Sequence, residues 1–331
     1  MESDALIAGT LIVLFGLSGI AINSYVVVAV SKNKNFGFSF GAVCISQLVA
    51  NLGNSVVFGT LVGPITLIDA SFHKTYFGQR SGQILIFFWN ASIFSHLLTT
   101  VNRFVTLYYP FSYENIFSPT VTYTLIGLVW VTAFFQVFPY FWPECGMEFN
   151  TSTFTIGFQD THCSHIVGTY ADFYVSILVV ATIACVDFMS FLKIRKVQKN
   201  AVQSTNNNDV RFFFQVVTQA LAAITELAFY FCISEYLLHI KWAYFGAKTI
   251  SWITVQFVDA LVFIIFNPDM RMCGRRKNSE IHNRKPSKPA TAVVTSDPSS
   301  VDSNANRGNE AGPVEPTVRH VVCEDEISVH I

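Results

Sequence analysis

Hydrophobic positions in this 331-residue chain gather into seven long runs, at about 5–30, 40–68, 82–108, 119–142, 168–192, 211–236 and 244–268, with short polar connections between them. A helix rising 1.5 Å per residue needs about 20 mostly apolar residues to cross the hydrocarbon of a bilayer, so each run is long enough to span once. In lipid a helix also satisfies its own backbone donors and acceptors, which makes it the form such a run must take. The connections carry breakers and charge, as in Ser31-Lys32-Asn33-Lys34-Asn35, Pro110 to Pro119, Pro143 to Gly168, and Lys193 to Asp209. The pattern predicts an all-α, polytopic membrane protein with a seven-transmembrane-helix bundle over 1–273. Beyond it the chain turns to Asn, Ser, Pro and charge, and 274–331 reads as a disordered tail.

Composition agrees with that pattern. Charged residues make up 13% of the chain, against roughly 25% in an ordinary soluble domain, so much of the surface faces something other than water. Thirty-two Phe residues fit lipid-facing helices better than a soluble core. The net charge of −1 argues against a nucleic-acid partner. Met1-Glu2-Ser3-Asp4 carries no basic residue before the first run, so the first span is expected to be retained rather than cleaved.

Lys and Arg are spread unevenly. With the N-terminus outside, twelve of them, from Lys32 to Lys277, lie on the inner side and four (Lys74, Arg80, Lys241 and Lys248) on the outer. The positive-inside rule therefore predicts an extracellular N-terminus and a cytoplasmic C-terminus, with membrane lipid as the surrounding partner. Asn150-Thr151-Ser152, a glycosylation acceptor, then falls in the outer loop between the fourth and fifth spans, as do Cys145 and Cys163. A Cys145–Cys163 bridge would close a loop of a length worth about 3 kcal/mol of chain restriction. The other cysteines show no Cys-x-x-Cys spacing, and neither they nor the histidines form a metal set. No metal or cofactor is expected. Nor is there a nucleophile elbow, a phosphate loop or a pair of catalytic acids, so an enzyme is not expected.

Asn102-Arg103-Phe104 stands at the inner end of the third span, followed by Tyr109-Pro110 and Tyr113-Glu114-Asn115-Ile116-Phe117-Ser118-Pro119. A lone interfacial Arg is unremarkable, since it can snorkel to water. As a block, however, these residues resemble the Asp-Arg-Tyr box and second cytoplasmic loop of rhodopsin-like receptors, and more closely the same region of the nematode serpentine chemoreceptors of class x. Trp130 with Pro139 in span four, Asn23 in span one and Asp259-Ala260-Leu261-Val262-Phe263 through Asn267 and Arg271 in span seven resemble further family positions. Asn267-Pro268 offers a second alignment of the last motif; the first is preferred because it puts Asp259 inside the bundle. The resemblance covers about 1–273. It implies a rhodopsin-like G-protein-coupled receptor fold, a small-molecule extracellular ligand and a heterotrimeric G protein as partners, with Asn102, Arg103, Phe104 and Asp259 in coupling and activation. It also implies a plasma-membrane location, in particular the cilium of a sensory neuron.

Several positions depart from the rhodopsin-like pattern. Asn102 replaces the acidic neighbour of the Arg, Asn51 stands where many such receptors have a sodium-binding Asp, and span six has no Cys-Trp-x-Pro. Gly78 stands where the usual disulfide begins, twenty-five residues before Arg103. Leu85 occupies the position of the amine receptors' Asp, which disfavours an aminergic ligand.

Counting depth along the helices puts Leu85, Trp89 and Asn90 of span three, Glu226 and Tyr230 of span six and Trp252 of span seven in the outer or middle third. There they are candidate ligand-binding residues. Glu226 lies fifteen residues past Arg211, about 22 Å up the helix. An acid at that depth is either functional or a structural group that is protonated or paired, with His96 or Asp259 as the partner. Cys273, beside Arg275-Arg276-Lys277, is a candidate for palmitoylation. A transporter or ligand-gated channel is the rival, since Asp187, Glu226, Asp259 and His96 all lie within spans. The Asn-Arg-Phe block, the short loops and the absence of internal repeats weigh for the receptor.

Overall fold

The computed structural model describes residues 2–199, 207–268 and 270. Among these, seven helices are long and apolar enough to cross a membrane: α1 Ser3–Lys32, α2 Phe38–Ile68, α3 Tyr76–Tyr108, α4 Pro119–Phe141, α5 His162–Lys196, α6 Val210–Tyr236 and α7 Lys241–Phe266. Each coincides with one of the predicted runs, α4 and α7 ending one and two residues short of theirs. Several start earlier than hydropathy alone suggests because a polar cap nucleates them. Thr75 Oγ1 accepts from the Gly78 amide at 3.3 Å before α3, and Thr161 Oγ1 accepts from the Ser164 amide at 3.1 Å before α5. Ser118 caps α4, with Pro119 at the first helical position.

Helix α3 is central, packing on α2, α4, α5 and α6, whereas α4 is peripheral: in their most apolar stretches 56% of α3 is buried and only 17% of α4. The outward faces remain apolar, as at Leu14, Phe134, Phe135, Leu178 and Phe188, which suits lipid contact. Helices α1 and α2 meet through small residues. A Cβ placed on Gly16 would lie 2.5 Å from the Gly59 backbone, and one on Gly19 would lie 2.5 Å from Ser55 Oγ. Apolar lipid gives little hydrophobic drive for helix association, so close backbone approach of this kind supplies the packing. An ion pair at 2.8 Å between Lys241 Nζ and Asp4 ties α7 to α1.

Four helices contain π-helical turns: Val57–Val62 in α2, Val167–Phe173 in α5, Ala228–Ile233 in α6 and Gly246–Ile250 in α7. All lie in the half of the bundle away from Arg103. Such turns carry an extra residue and rotate the side chains beyond them relative to a regular helix. Pro139, expected to kink span four, instead ends its regular part; α4 tightens into a 3-10 turn over Phe138–Phe141 because proline cannot donate into the helical ladder.

The α4–α5 connection is not plain loop. Strands β1 (Met147–Asn150) and β2 (Thr155–Phe158) pair antiparallel, with Met147 opposite Phe158 and Asn150 opposite Thr155. A disulfide joins Cys145 to Cys163, Cα to Cα 4.9 Å, at the base of this hairpin. The hairpin lies on the bundle: a Cβ on Gly82 of α3 would come within 2.9 Å of Met147 Cβ, and Thr249 of α7 donates to Phe154 O at 2.9 Å. Phe154 itself adopts φ 59°, unusual for a bulky residue, and is held there by burial against the start of α7.

Candidate functional site

Beneath the hairpin, α3, α5, α6 and α7 enclose a narrow cavity lined by Ile86, Trp89, Asp172, Glu226, Leu227, Tyr230, Phe231 and Trp252. Four of the six residues picked out by depth thus meet around one space: Trp89, Glu226, Tyr230 and Trp252. Leu85 and Asn90 do not line it. Leu85 is fully buried in the apolar core, and its carbonyl accepts from Asn54 Nδ2 at 3.3 Å; Asn90 is buried elsewhere along α3. Three of the rings stand nearly at right angles, with Trp252 centroids 6.4 Å from Trp89 and 5.7 Å from Tyr230, both pairs at 82°. Tyr230 Oη donates to Ile156 O of β2 at 3.0 Å, so wall and lid are bonded together.

Asp172 was not anticipated. It sits four residues into the fifth apolar run, which reads as interfacial, but α5 begins at His162 and carries Asp172 some three turns inside. There it is 3% exposed, with Oδ1 unpartnered, and faces the same cavity as Glu226. The structural alternative that paired Glu226 with His96 or Asp259 is not seen: its acidic neighbour is Asp172, and the other two belong to a separate cluster.

That cluster lies nearer the middle of the bundle. Asp259 Oδ2 accepts from Gln47 Nε2 at 2.6 Å and from Asn51 Nδ2 at 2.7 Å, while Ser92 Oγ donates to Asn51 Oδ1 at 2.6 Å. His96 lines the same pocket and interacts electrostatically with Asp259. The amide on α2 and the acid on α7 are therefore direct partners, with the acid on the opposite helix from the usual rhodopsin-like arrangement. Asn23 Nδ2 joins α1 to α7 by donating to Gln256 O at 3.2 Å, and Trp130 Nε1 donates to Ser46 Oγ at 2.9 Å between α4 and α2. Trp89 borders both the cavity and this cluster.

At the far end a wider opening is lined by Lys34, Arg103, Thr106, Tyr113, Glu114 and Phe212, among others. Arg103 Cζ lies 3.2 Å from the centroid of Phe40 on α2 and 4.7 Å from that of Phe212 on α6. The guanidinium is thus clasped by aromatic faces, and the residue before it, Asn102, is an amide and not an acid. Asn102 and the Tyr113 hydroxyl exchange hydrogen bonds at 3.1 and 3.3 Å, and Phe104 stacks on Tyr108 at 4.4 Å. Arg211 Nε donates to Phe266 O at 2.9 Å, linking α6 to the end of α7.

Gly78 shows why the usual disulfide is absent from α3. A Cβ there would lie 2.3 Å from Phe72 O and 2.6 Å from His73 Cα, so no cysteine fits without moving the α2–α3 turn. In that turn His73 is 1% exposed, stacked at 4.0 Å on Phe149 of the hairpin and 3.0 Å from Thr66 Oγ1. Burial pushes its imidazole down to about 4. Asn150 lies at the exposed end of β1, its side chain accepting from Ser152. Cys273 and the segment from 274 lie outside the described residues. Among the described residues no group of three or more His, Cys, Asp and Glu is placed to hold a metal ion.

Comparison with known proteins matches this arrangement. Residues 13–267 match the family model described as "Serpentine type 7TM GPCR chemoreceptor Srx". Serpentine receptor class X 45 of Caenorhabditis elegans is 26% identical over 288 residues, covering 80% of each chain. Serpentine receptor class X-43 of the same organism is 24% identical over 282 residues, covering 82% of this chain and 86% of that one. Among solved structures, squid rhodopsin superposes with a TM-score of 0.59 over 86% of this chain and 87% of that one, at 14% identity, a likeness of fold. The chain is a multi-pass membrane protein that belongs to the Srx family of serpentine seven-transmembrane G-protein-coupled chemoreceptors.

Proposed function

We propose that this protein is a chemosensory receptor that binds a small extracellular chemical in the cavity under the hairpin and activates a heterotrimeric G protein at the Arg103 end. The observation carrying the reading is that one rigid helix, α3, contributes to both ends: Trp89 walls the cavity and Arg103 lines the opening, with Ser92 and His96 of the polar cluster between them. A ligand that favours one packing of Trp89, Glu226, Tyr230 and Trp252 shifts the balance between two arrangements of the bundle. In the active one α6 moves from α3, Phe212 leaves Arg103, and the opening widens for the partner's terminal helix, as the family resemblance implies.

The hairpin end faces outward in this reading. The basic residues gathered at the other end, the Cys145–Cys163 bridge and the exposed Asn150 sequon support it. The plasma membrane, and by resemblance a sensory cilium, is the site of action; Cys273 is retained as a palmitoylation candidate. Membership of the receptor family weighs against transport. The test is G-protein activation in cells challenged with a panel of small metabolites, with wild type and Arg103→Ala compared at equal surface level. A response lost in the variant supports the reading. A ligand-evoked current or flux that survives the substitution contradicts it.

A further inference from the structure

The cavity under the hairpin has two carboxylates and no internal cation. Asp172 and Glu226 come from different helices, are 3% and 5% exposed, and among the described residues neither takes part in an ion pair. Asp172 Oδ1 has no hydrogen-bond partner. Burying even one carboxylate without compensation is costly, and placing a second beside it adds repulsion. Asp259, by contrast, is satisfied by donors from Gln47 and Asn51.

Four of the six other lining residues are aromatic, Trp89, Tyr230, Phe231 and Trp252, with Ile86 and Leu227 between them, and Trp252 meets Trp89 and Tyr230 edge to face. Aromatic faces attract cations, Trp most strongly, and a water-poor site strengthens that attraction. Lys248 sits over the ring of Tyr230 but does not itself line the space. Lys248 Nζ stands 4.7 Å from the Tyr230 centroid and 5.4 Å from that of Tyr244, outside the cavity lining, and its acidic neighbour is Glu235.

We infer that the ligand is a small organic cation, a protonated amine or quaternary ammonium, held between the carboxylates of Asp172 and Glu226 and the faces of Trp89, Tyr230 and Trp252. This deepens the receptor reading and rests on it. The carboxylate missing at Leu85 is supplied from the other side of the cavity, by α5 and α6. An ammonium entering here offsets one of the two negative charges, a protonated amine also gives Asp172 Oδ1 its donor, and either draws on α6, the helix whose Phe212 covers Arg103 at the other end. The cavity is only about 10 Å³, room for a single water, so an organic cation has to part its walls on entry, and the hairpin, bonded to Tyr230 through Ile156 O, moves with them.

The test measures binding apart from signalling. Full-length receptor in lipid nanodiscs is melted with phenethylamine against phenethyl alcohol, and with choline against its uncharged carbon isostere dimethylbutanol. At least one cation is expected to raise the melting temperature in a saturable way, with its neutral twin tenfold weaker or more. Glu226→Gln and Asp172→Asn, each checked for an intact melt without ligand, are expected to weaken the cation about tenfold and leave the neutral twin unchanged. Tyr244→Phe, outside the cavity lining, is expected to bind like wild type. Equal binding of charged and neutral twins, no binding of either cation, or cation binding indifferent to both substitutions overturns the inference. G-protein activation is read separately on the same samples: binding without activation would leave the cation site standing and remove the receptor reading, whereas activation by neutral compounds alone would do the reverse.

Discussion

Two buried acids on neighbouring helices, Asp259 of α7 and Glu226 of α6, are treated very differently by their surroundings. Asp259 receives two short amide hydrogen bonds from α2, and the amide that gives one of them is itself held by Ser92 of α3. Glu226 faces a second acid, Asp172, across a cavity of aromatic rings. In the first the acid has its donors and the network fastens α2, α3 and α7 together, although Gln47 Oε1 and His96 Nε2 beside it are left without partners. The second is left for something outside the chain to complete. A buried acid with its donors present is accounted for within the chain; one without them calls for an explanation, and the proposed cation supplies it.

The contrast is broken most severely at its closed half. Asp259→Ala leaves the Gln47 and Asn51 donors buried without an acceptor and is expected to cost about 2–4 kcal/mol. That would appear as a large drop in melting temperature and in surface expression. Asp172→Asn is expected to be neutral or stabilising in the same assays. If the two substitutions behave alike, the contrast is wrong.

A sharper version exchanges the partners. Asn51→Asp and Asp259→Asn are each expected to destabilise, while the double variant regains part of the loss, giving a coupling energy of about 1–3 kcal/mol in a thermal-denaturation cycle. Additive losses would deny that the two residues form a pair.

The hairpin covering the open half can be loosened by acid. His73 is neutral in the folded protein, with its imidazole pushed down to about 4 from the usual 6.5, so the unfolded chain takes up the proton first. Its contribution is whole above about pH 6.5 and is lost as pH falls toward about 4, a change on the order of 2 kcal/mol. His73→Gln should flatten the dependence of melting temperature on pH across that window. An unchanged profile would put the acid sensitivity elsewhere.

The smallest expected effect is at the Arg103 end. Phe212→Leu removes one of the two rings clasping the guanidinium, an interaction worth about 1 kcal/mol, and should raise ligand-independent G-protein activation several-fold. Unaltered basal activation would show that the clasp does not restrain α6.

Much of this architecture is visible in the amino-acid order. Long apolar runs fix the number of helices because lipid leaves the backbone no alternative, and Asn102-Arg103-Phe104 marks the inner end of α3 without any structure. The Asp259 network also left a trace, since Gln47, Asn51 and Ser55 recur every fourth residue on α2 and so share a face. What escaped was depth and rotation. Asp172 looks interfacial until the Thr161 cap extends α5 by two turns beyond the apolar run. The π-helical turns holding Asp172 and Tyr230 shift their side chains from where regular spacing puts them. Leu85 and Asn90, at plausible depths on α3, lie on other faces of that regular helix than Ile86 and Trp89 and do not line the cavity. The small-residue contact of Gly16 with Gly59 depends on two distant segments meeting and has no local signature. The short hairpin was hidden in a connection whose cysteines and sequon mark it only as exposed and oxidising.

The measurement that bears most directly on the receptor reading is nucleotide exchange on a purified heterotrimeric G protein, driven by the full chain in nanodiscs with phenethylamine and choline as probes. In wild type, a cation that binds should accelerate exchange. Arg103→Ala should keep the cation-induced rise in melting temperature and lose the acceleration, while Glu226→Gln should lose both. Exchange unaffected by Arg103→Ala, or a bound cation that moves across the bilayer and never stimulates exchange, would contradict the coupling of the cavity to the Arg103 opening.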